Sequence, residues 1–133
     1  MIDQEYRTDS SKRVLVGHSI GGMFAIYAML REPRLFRSHV AASPAIHGYE
    51  IFELEAEFAK KHKQLPAQLY LGVGDLDETV EDPIVSDVFR FGLQLERRKY
   101  KGLSITKQVF ADNNHSEVVA PAFQAGLRLA LAK

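Results

Sequence analysis

Arg13-Val14-Leu15-Val16-Gly17-His18-Ser19-Ile20-Gly21-Gly22 is the stretch on which the fold turns. A β-branched run closing on glycine reads as a buried strand over Arg13 to Gly17. From Ile20 to Leu30 every residue is apolar or glycine, and Pro33 ends the segment. That pattern predicts a helix buried on nearly all sides. Between strand and helix, Gly17-His18-Ser19-Ile20-Gly21 fits G-x-S-x-G. Such a turn is sharp and strained, and it lifts the serine hydroxyl above the sheet. Gly17 and Gly21 are expected to make room for close backbone approach, with Gly22 adding more. The N–H of Ile20 stands at a helix start, where donors lack intrahelical acceptors and the dipole favours negative charge. It is placed to donate to an oxyanion formed at Ser19.

Working outward, short apolar runs alternate with longer amphipathic ones. His39 to Ser43 reads as a second strand, closed by Ser43-Pro44, and Ile51 to His62 carries Ile51, Leu54, Phe58 and Ala59 at helical spacing. Gln68 to Val73 reads as a third strand, running into the acidic loop Gly74-Asp75-Leu76-Asp77-Glu78. Pro83 suits the first turn of a helix whose apolar face is Ile84, Val88, Phe91 and Leu95, up to Lys99. Leu103 to Phe110 gives a fourth strand and Glu117 to Leu131 a last helix. Four strand–helix alternations predict an α/β fold, a parallel sheet of about four strands with helices on both faces and right-handed crossovers. One domain is expected over residues 1–133. Reactive groups gather at the carboxyl ends of such strands, where Ser19, Asp77 and His115 all lie.

Composition narrows the function. The 133 residues are 46% hydrophobic, and 17 Lys plus Arg balance 17 Asp plus Glu. A neutral balance argues against a surface that grips phosphate backbones, so no nucleic-acid partner is expected. The absence of cysteine excludes disulfides, thiolate zinc sites and a cysteine nucleophile. No apolar stretch near Asp3, Glu5 and Asp9 resembles a signal peptide, and no apolar run reaches the roughly 18–20 residues of a membrane span. The expectation is a soluble, cytoplasmic domain without a membrane partner.

A serine hydroxyl needs a base to take its proton. Of five histidines, His62 sits among lysines, His39 begins a strand, and His18 is expected to point away from its neighbour Ser19. His47 follows the second strand in a loop. His115, in the turn-rich Ala111-Asp112-Asn113-Asn114-His115-Ser116, opens on the same rim as Ser19 and is the favoured base. The acid that orients it falls in the loop after the third strand. Asp77 is favoured there over Asp75 and Glu78, with Glu81 and Asp82 more distant. The order serine, acid, histidine is that of the α/β-hydrolases. No His/Asp/Glu cluster has metal-ligand spacing.

Tyr6-Arg7-Thr8-Asp9 followed by Arg13 to Gly22 resembles the nucleophile region of the putative-esterase branch of the α/β-hydrolases. That branch holds the esterase D group and the siderophore esterases. Pro33-Arg34-Leu35-Phe36 and Ala42-Ser43-Pro44 are similar to the segments after the turn. His115-Ser116-Glu117-Val118-Val119-Ala120-Pro121-Ala122-Phe123, with Gly126-Leu127-Arg128, resembles the histidine segment. The resemblance implies Ser19 as nucleophile, His115 as base and Asp77 as acid, in a serine carboxylic-ester hydrolase that needs no cofactor and acts on small acyl esters through an acyl-enzyme. It covers only the C-terminal half of the family fold, without the loop that gives the second oxyanion donor. The alternative expectation is therefore a weakly active or inactive half-hydrolase, a folded remnant or a partner-dependent subunit. The strand at 13–17, bared on one side, predicts a homodimer or higher oligomer through that edge.

Overall fold

The computed structural model describes residues 2–132. Helix α1 (Ile2–Glu5) and a 3₁₀ turn (Ser10–Lys12) lead into strand β1 (Val14–His18) and helix α2 (Ile20–Arg31). There follow β2 (Ser38–Ala42), α3 (Ile51–Lys61), β3 (Gln64–Gly74), α4 (Ile84–Arg98), β4 (Lys101–Phe110) and α5 (Val119–Leu131). The four strands form one parallel sheet in the order β1-β2-β3-β4, so β1 and β4 are its edges. Among the described residues no helix is long and apolar enough to cross a membrane.

Strand alternation divides the core between the two faces. Ala41, Leu69, Leu71 and Val73 face α2, α3 and α4, packing with Ile26, Met29, Ile51, Val88, Phe91 and Leu95. Val40, Ala42 and Tyr70 point the other way, against Val118 and Ala122 at the start of α5. Each fully buried Val, Leu, Ile, Met or Phe side chain among these contributes roughly 1.5–3 kcal/mol. Helix α5 lies close to the sheet because Gly126 has no side chain: a Cβ there would lie 2.4 Å from Val40 Cγ1.

The structure corrects two sequence expectations here. Helix α2 is not buried on nearly all sides. Ile20 (58% exposed), Phe24 (54%) and Tyr27, spaced four and three residues apart, form an apolar stripe open to solvent. The other side of α2 packs on β1, β2 and α3, and among the described residues no strand lies beyond the edge strand β1 to cover the stripe. Strand β3 starts at Gln64 instead of Gln68, with a register irregularity against β4 between Gln64 and Ala67. Pro66, which has no N–H to give the ladder, sits at that irregularity.

On the same face as α2, towards α4, Glu55 of α3 is fully buried. Its carboxylate accepts hydrogen bonds from Tyr100 Oη (2.6 Å), Gln94 Nε2 (2.7 Å) and Arg98 Nε (3.1 Å). Arg98 Nη2 adds an ion pair at 3.0 Å. Burial, with the Glu55 bond second, pushes the Tyr100 phenol well above its ordinary range. A buried carboxylate is tolerable only when paired and hydrogen-bonded in this way. The cluster locks α3, α4 and the start of β4 together.

Candidate active site

Strand β1 ends at His18 and α2 begins at Ile20, so Ser19 alone makes the turn, at φ 58° and ψ −117°. That combination lies outside the right-handed and left-handed helical wells and is strained for any residue with a Cβ. Three backbone hydrogen bonds hold it. Ser19 N–H donates to Ala42 O (3.0 Å), and Ser19 O accepts from Met23 N–H (3.0 Å) and Ala45 N–H (2.9 Å). The hydroxyl makes no capping bond to α2. The glycines divide their work unequally. A Cβ on Gly17 would lie 2.0 Å from Gly21 O, and one on Gly22 would lie 3.1 Å from Pro44 Cα. Gly21, expected to leave room, has open space where its Cβ would go, and it matters as the backbone that Gly17 must admit. The first-turn N–H of Ile20 has no intrahelical acceptor by the geometry of any helix start.

The loop after β4 carries His115, and the loop after β3 carries Asp77. His115 Nδ1 lies 2.6 Å from Asp77 Oδ2. A carboxylate accepts, so Nδ1 carries the proton and Nε2 keeps its lone pair. The two loops are pinned together by backbone. Asp75 N–H donates to Phe110 O and Leu76 N–H to Asn113 O, both at 3.1 Å. A Cβ on Gly74 would lie 2.1 Å from Asn113 O, so only glycine lets the loops close this far. Asn114 Oδ1 accepts from Ser116 N–H (3.0 Å) and Glu117 N–H (2.9 Å), and Glu117 Oε1 accepts from Asn114 N–H (3.1 Å). These bonds fix the turn that presents His115 ahead of α5.

The competing acids are engaged elsewhere or exposed. Glu78 Oε2 accepts from Ser86 N–H at 2.8 Å, in the first turn of α4. Asp75, Glu81 and Asp82 are exposed. Of the acids considered, Asp77 is the one that meets His115. No hydrogen bond joins Ser19 Oγ to His115, and the structure brings the two segments together through His18. Contrary to expectation, His18 does not point away. Its Nε2 lies 2.7 Å from His115 O, and the two rings are 4.6 Å apart between centroids. The sequence signal for this was the position of His18 beside Ser19 inside the motif.

The remaining histidines stay out of the cluster. His39 is fully buried in β2 with neither ring nitrogen hydrogen-bonded, and burial pushes its pKa down to about 4. His47 is exposed, with Nδ1 3.7 Å from Asp87 Oδ2, a carboxyl whose titration burial pushes up. His62 stacks on Phe58. Among the described residues no group of three or more His, Asp or Glu side chains is arranged to hold a metal ion.

Comparison with known proteins places this geometry. A family model described as Putative esterase matches residues 1–128. Ferri-bacillibactin esterase BesA of Bacillus subtilis (strain 168) is 26% identical over 135 aligned positions, covering 98% of this chain and 46% of BesA. The BES protein from Bacillus cereus superposes with a TM-score of 0.83 at 24% identity, over 97% of this chain and 48% of that one. An IroE-like serine hydrolase from Shewanella oneidensis gives 0.79 at 24% identity, over 96% and 42%. The chain thus spans about half the length of the relatives it matches, and the solved structures share its fold.

Proposed function

The chain belongs to the Putative esterase family, and on that premise we propose that it carries the Ser-His-Asp machinery of a serine carboxylic-ester hydrolase for small acyl esters. The observation that carries the reading is the 2.6 Å bond from His115 Nδ1 to Asp77, held beside the strained turn at Ser19. Ser19 Oγ bonds to the ester carbonyl carbon as its proton passes to His115 Nε2. Asp77 holds the imidazole in the required tautomer and stabilises the imidazolium. The carbonyl oxygen gains negative charge and accepts from Ile20 N–H. Collapse breaks the bond to the leaving alcohol, which takes the proton from His115. Water repeats the sequence on the acyl-enzyme, freeing the acid and restoring Ser19. That the similar proteins are an esterase and a serine hydrolase supports ester hydrolysis. The test is hydrolysis of p-nitrophenyl acetate by wild type and Ser19→Ala. Loss of turnover in the variant is expected, and equal rates would leave the alternative, a catalytically inactive half-hydrolase.

A second part of the proposal concerns assembly. Strand β1 is an edge, its Val14, Leu15 and Val16 are only half-buried, and Ile20 and Phe24 lie exposed beside Ser19. An unpaired apolar edge invites strand pairing. We propose that a second copy pairs with it antiparallel, as an isologous contact requires. Light scattering should then give twice the 15.0 kDa chain mass, and a stable monomer at micromolar concentration would contradict the dimer.

A further inference from the structure

We infer that His18 is a positioning residue for His115, holding the base against the strand that ends at the nucleophile. The inference rests on the esterase reading above and extends it to a residue outside the triad. His18 and His115 are 97 residues apart in sequence, His18 ending one edge strand of the sheet and His115 following the other. Asp77 fixes one ring nitrogen of His115, and the hydrogen bonds among Asp75, Leu76, Phe110 and Asn113 tie its loop to β3. Neither of these reaches the elbow. The bond from His18 does. The His115 carbonyl can only accept, so His18 Nε2 carries a proton and donates to it. The His18 ring also lies against the His115 ring, tilted by 43°. One side chain therefore restrains both the backbone and the ring of the base, from the residue adjacent to Ser19. Misplacing a reacting group by about 1 Å costs on the order of 10²-fold in rate.

Two variants and one spectrum test this. His18→Leu keeps bulk but loses the donor. His18→Gln places an amide N–H near the lost Nε2–H. With p-nitrophenyl acetate, His18→Leu should lower kcat about 10–100-fold with KM little changed, His18→Gln should recover most of it, and the melting temperatures of both should stay near wild type. Wild-type kcat in His18→Leu would overturn the inference, as would equal losses in both variants accompanied by equal drops in melting temperature. A wild type whose hydrolysis does not depend on Ser19 would instead remove the esterase reading. The imidazole nitrogen NMR spectrum is independent of turnover. It should show His18 protonated at Nε2 and hydrogen-bonded, and a neutral His18 protonated only at Nδ1 would overturn the inference whatever the activity.

Discussion

The two ends of the sheet are built to different standards. At β3–β4, Glu55, Gln94, Arg98 and Tyr100 close a buried network, and the loops bearing Asp77 and His115 are locked by backbone bonds. At β1–α2, the turn at Ser19 is held by backbone bonds to Ala42, Ala45 and Met23, yet Ile20, Phe24 and Tyr27 stand open to solvent beside it. The difference separates two requirements of one reaction. Pre-organisation of the acid–base pair is internal to this chain. On the proposed reading, Ser19 would also need cover and a second oxyanion donor, and among the described residues Ile20, Phe24 and Tyr27 beside it stay exposed. If the proposed reaction holds, loss of one oxyanion donor is expected to cost about 10²–10³ in turnover.

Disturbing the ordered end should have the largest effects. Asp77→Asn should lower kcat by about 10⁴-fold, because the imidazole loses the partner that fixes its tautomer. Asp75→Asn, exposed and away from His115, should change kcat far less, and reversed sensitivities in steady-state kinetics would move the acid to Asp75. Glu55→Ala should destabilise the fold by about 1–3 kcal/mol, because the buried Tyr100 hydroxyl loses its acceptor while the exposed Arg98 regains water. Urea unfolding measures this, and a change under 1 kcal/mol would mean that the network is not what closes this end.

Between the two ends, His39 in β2 makes stability depend on pH. Its folded value is about 4 against an ordinary 6.5. Folding therefore keeps it neutral, and the associated stability is present above about 6.5 and lost as pH falls towards 4. The loss is at most about 3 kcal/mol. Unfolding curves for His39→Leu should be flatter than wild type across that window, and parallel curves would show that His39 finds a partner in the fold. The smallest effect is expected at the open end. Phe24→Ser should change monomer stability by no more than about 0.5 kcal/mol. A loss of 2 kcal/mol or more would show that the stripe is covered.

This contrast also tracks what was legible in the sequence. Short apolar runs and hard punctuation, such as Val14 to Gly17 and Ser43-Pro44, locate the strands to within a few residues, and strand–helix alternation implies the parallel sheet. The exposure of α2 is not legible because apolarity all round reports what a helix can bury, whereas exposure depends on whether a neighbour exists. Glu55 was invisible for the opposite reason. A charged residue in an amphipathic helix reads as solvated, although its spacing of four from Ile51 and three from Phe58 put it on the apolar face. In the site, chain order and loop chemistry pointed to Ser19, Asp77 and His115 but left Asp75 and Glu78 open. Only three-dimensional placement brings Asp77 to the imidazole, and only it turns His18 inward, since alternation along a strand does not extend through a turn with positive φ.

The central claim is that Ser19 is a nucleophile activated by His115. Incubation with a fluorophosphonate, followed by peptide mass mapping, tests it most directly. One adduct on the peptide containing Ser19, abolished in His115→Ala at unchanged fold, is the predicted result. An adduct that persists at Ser19 without His115, or no adduct on the folded wild-type chain, would contradict it.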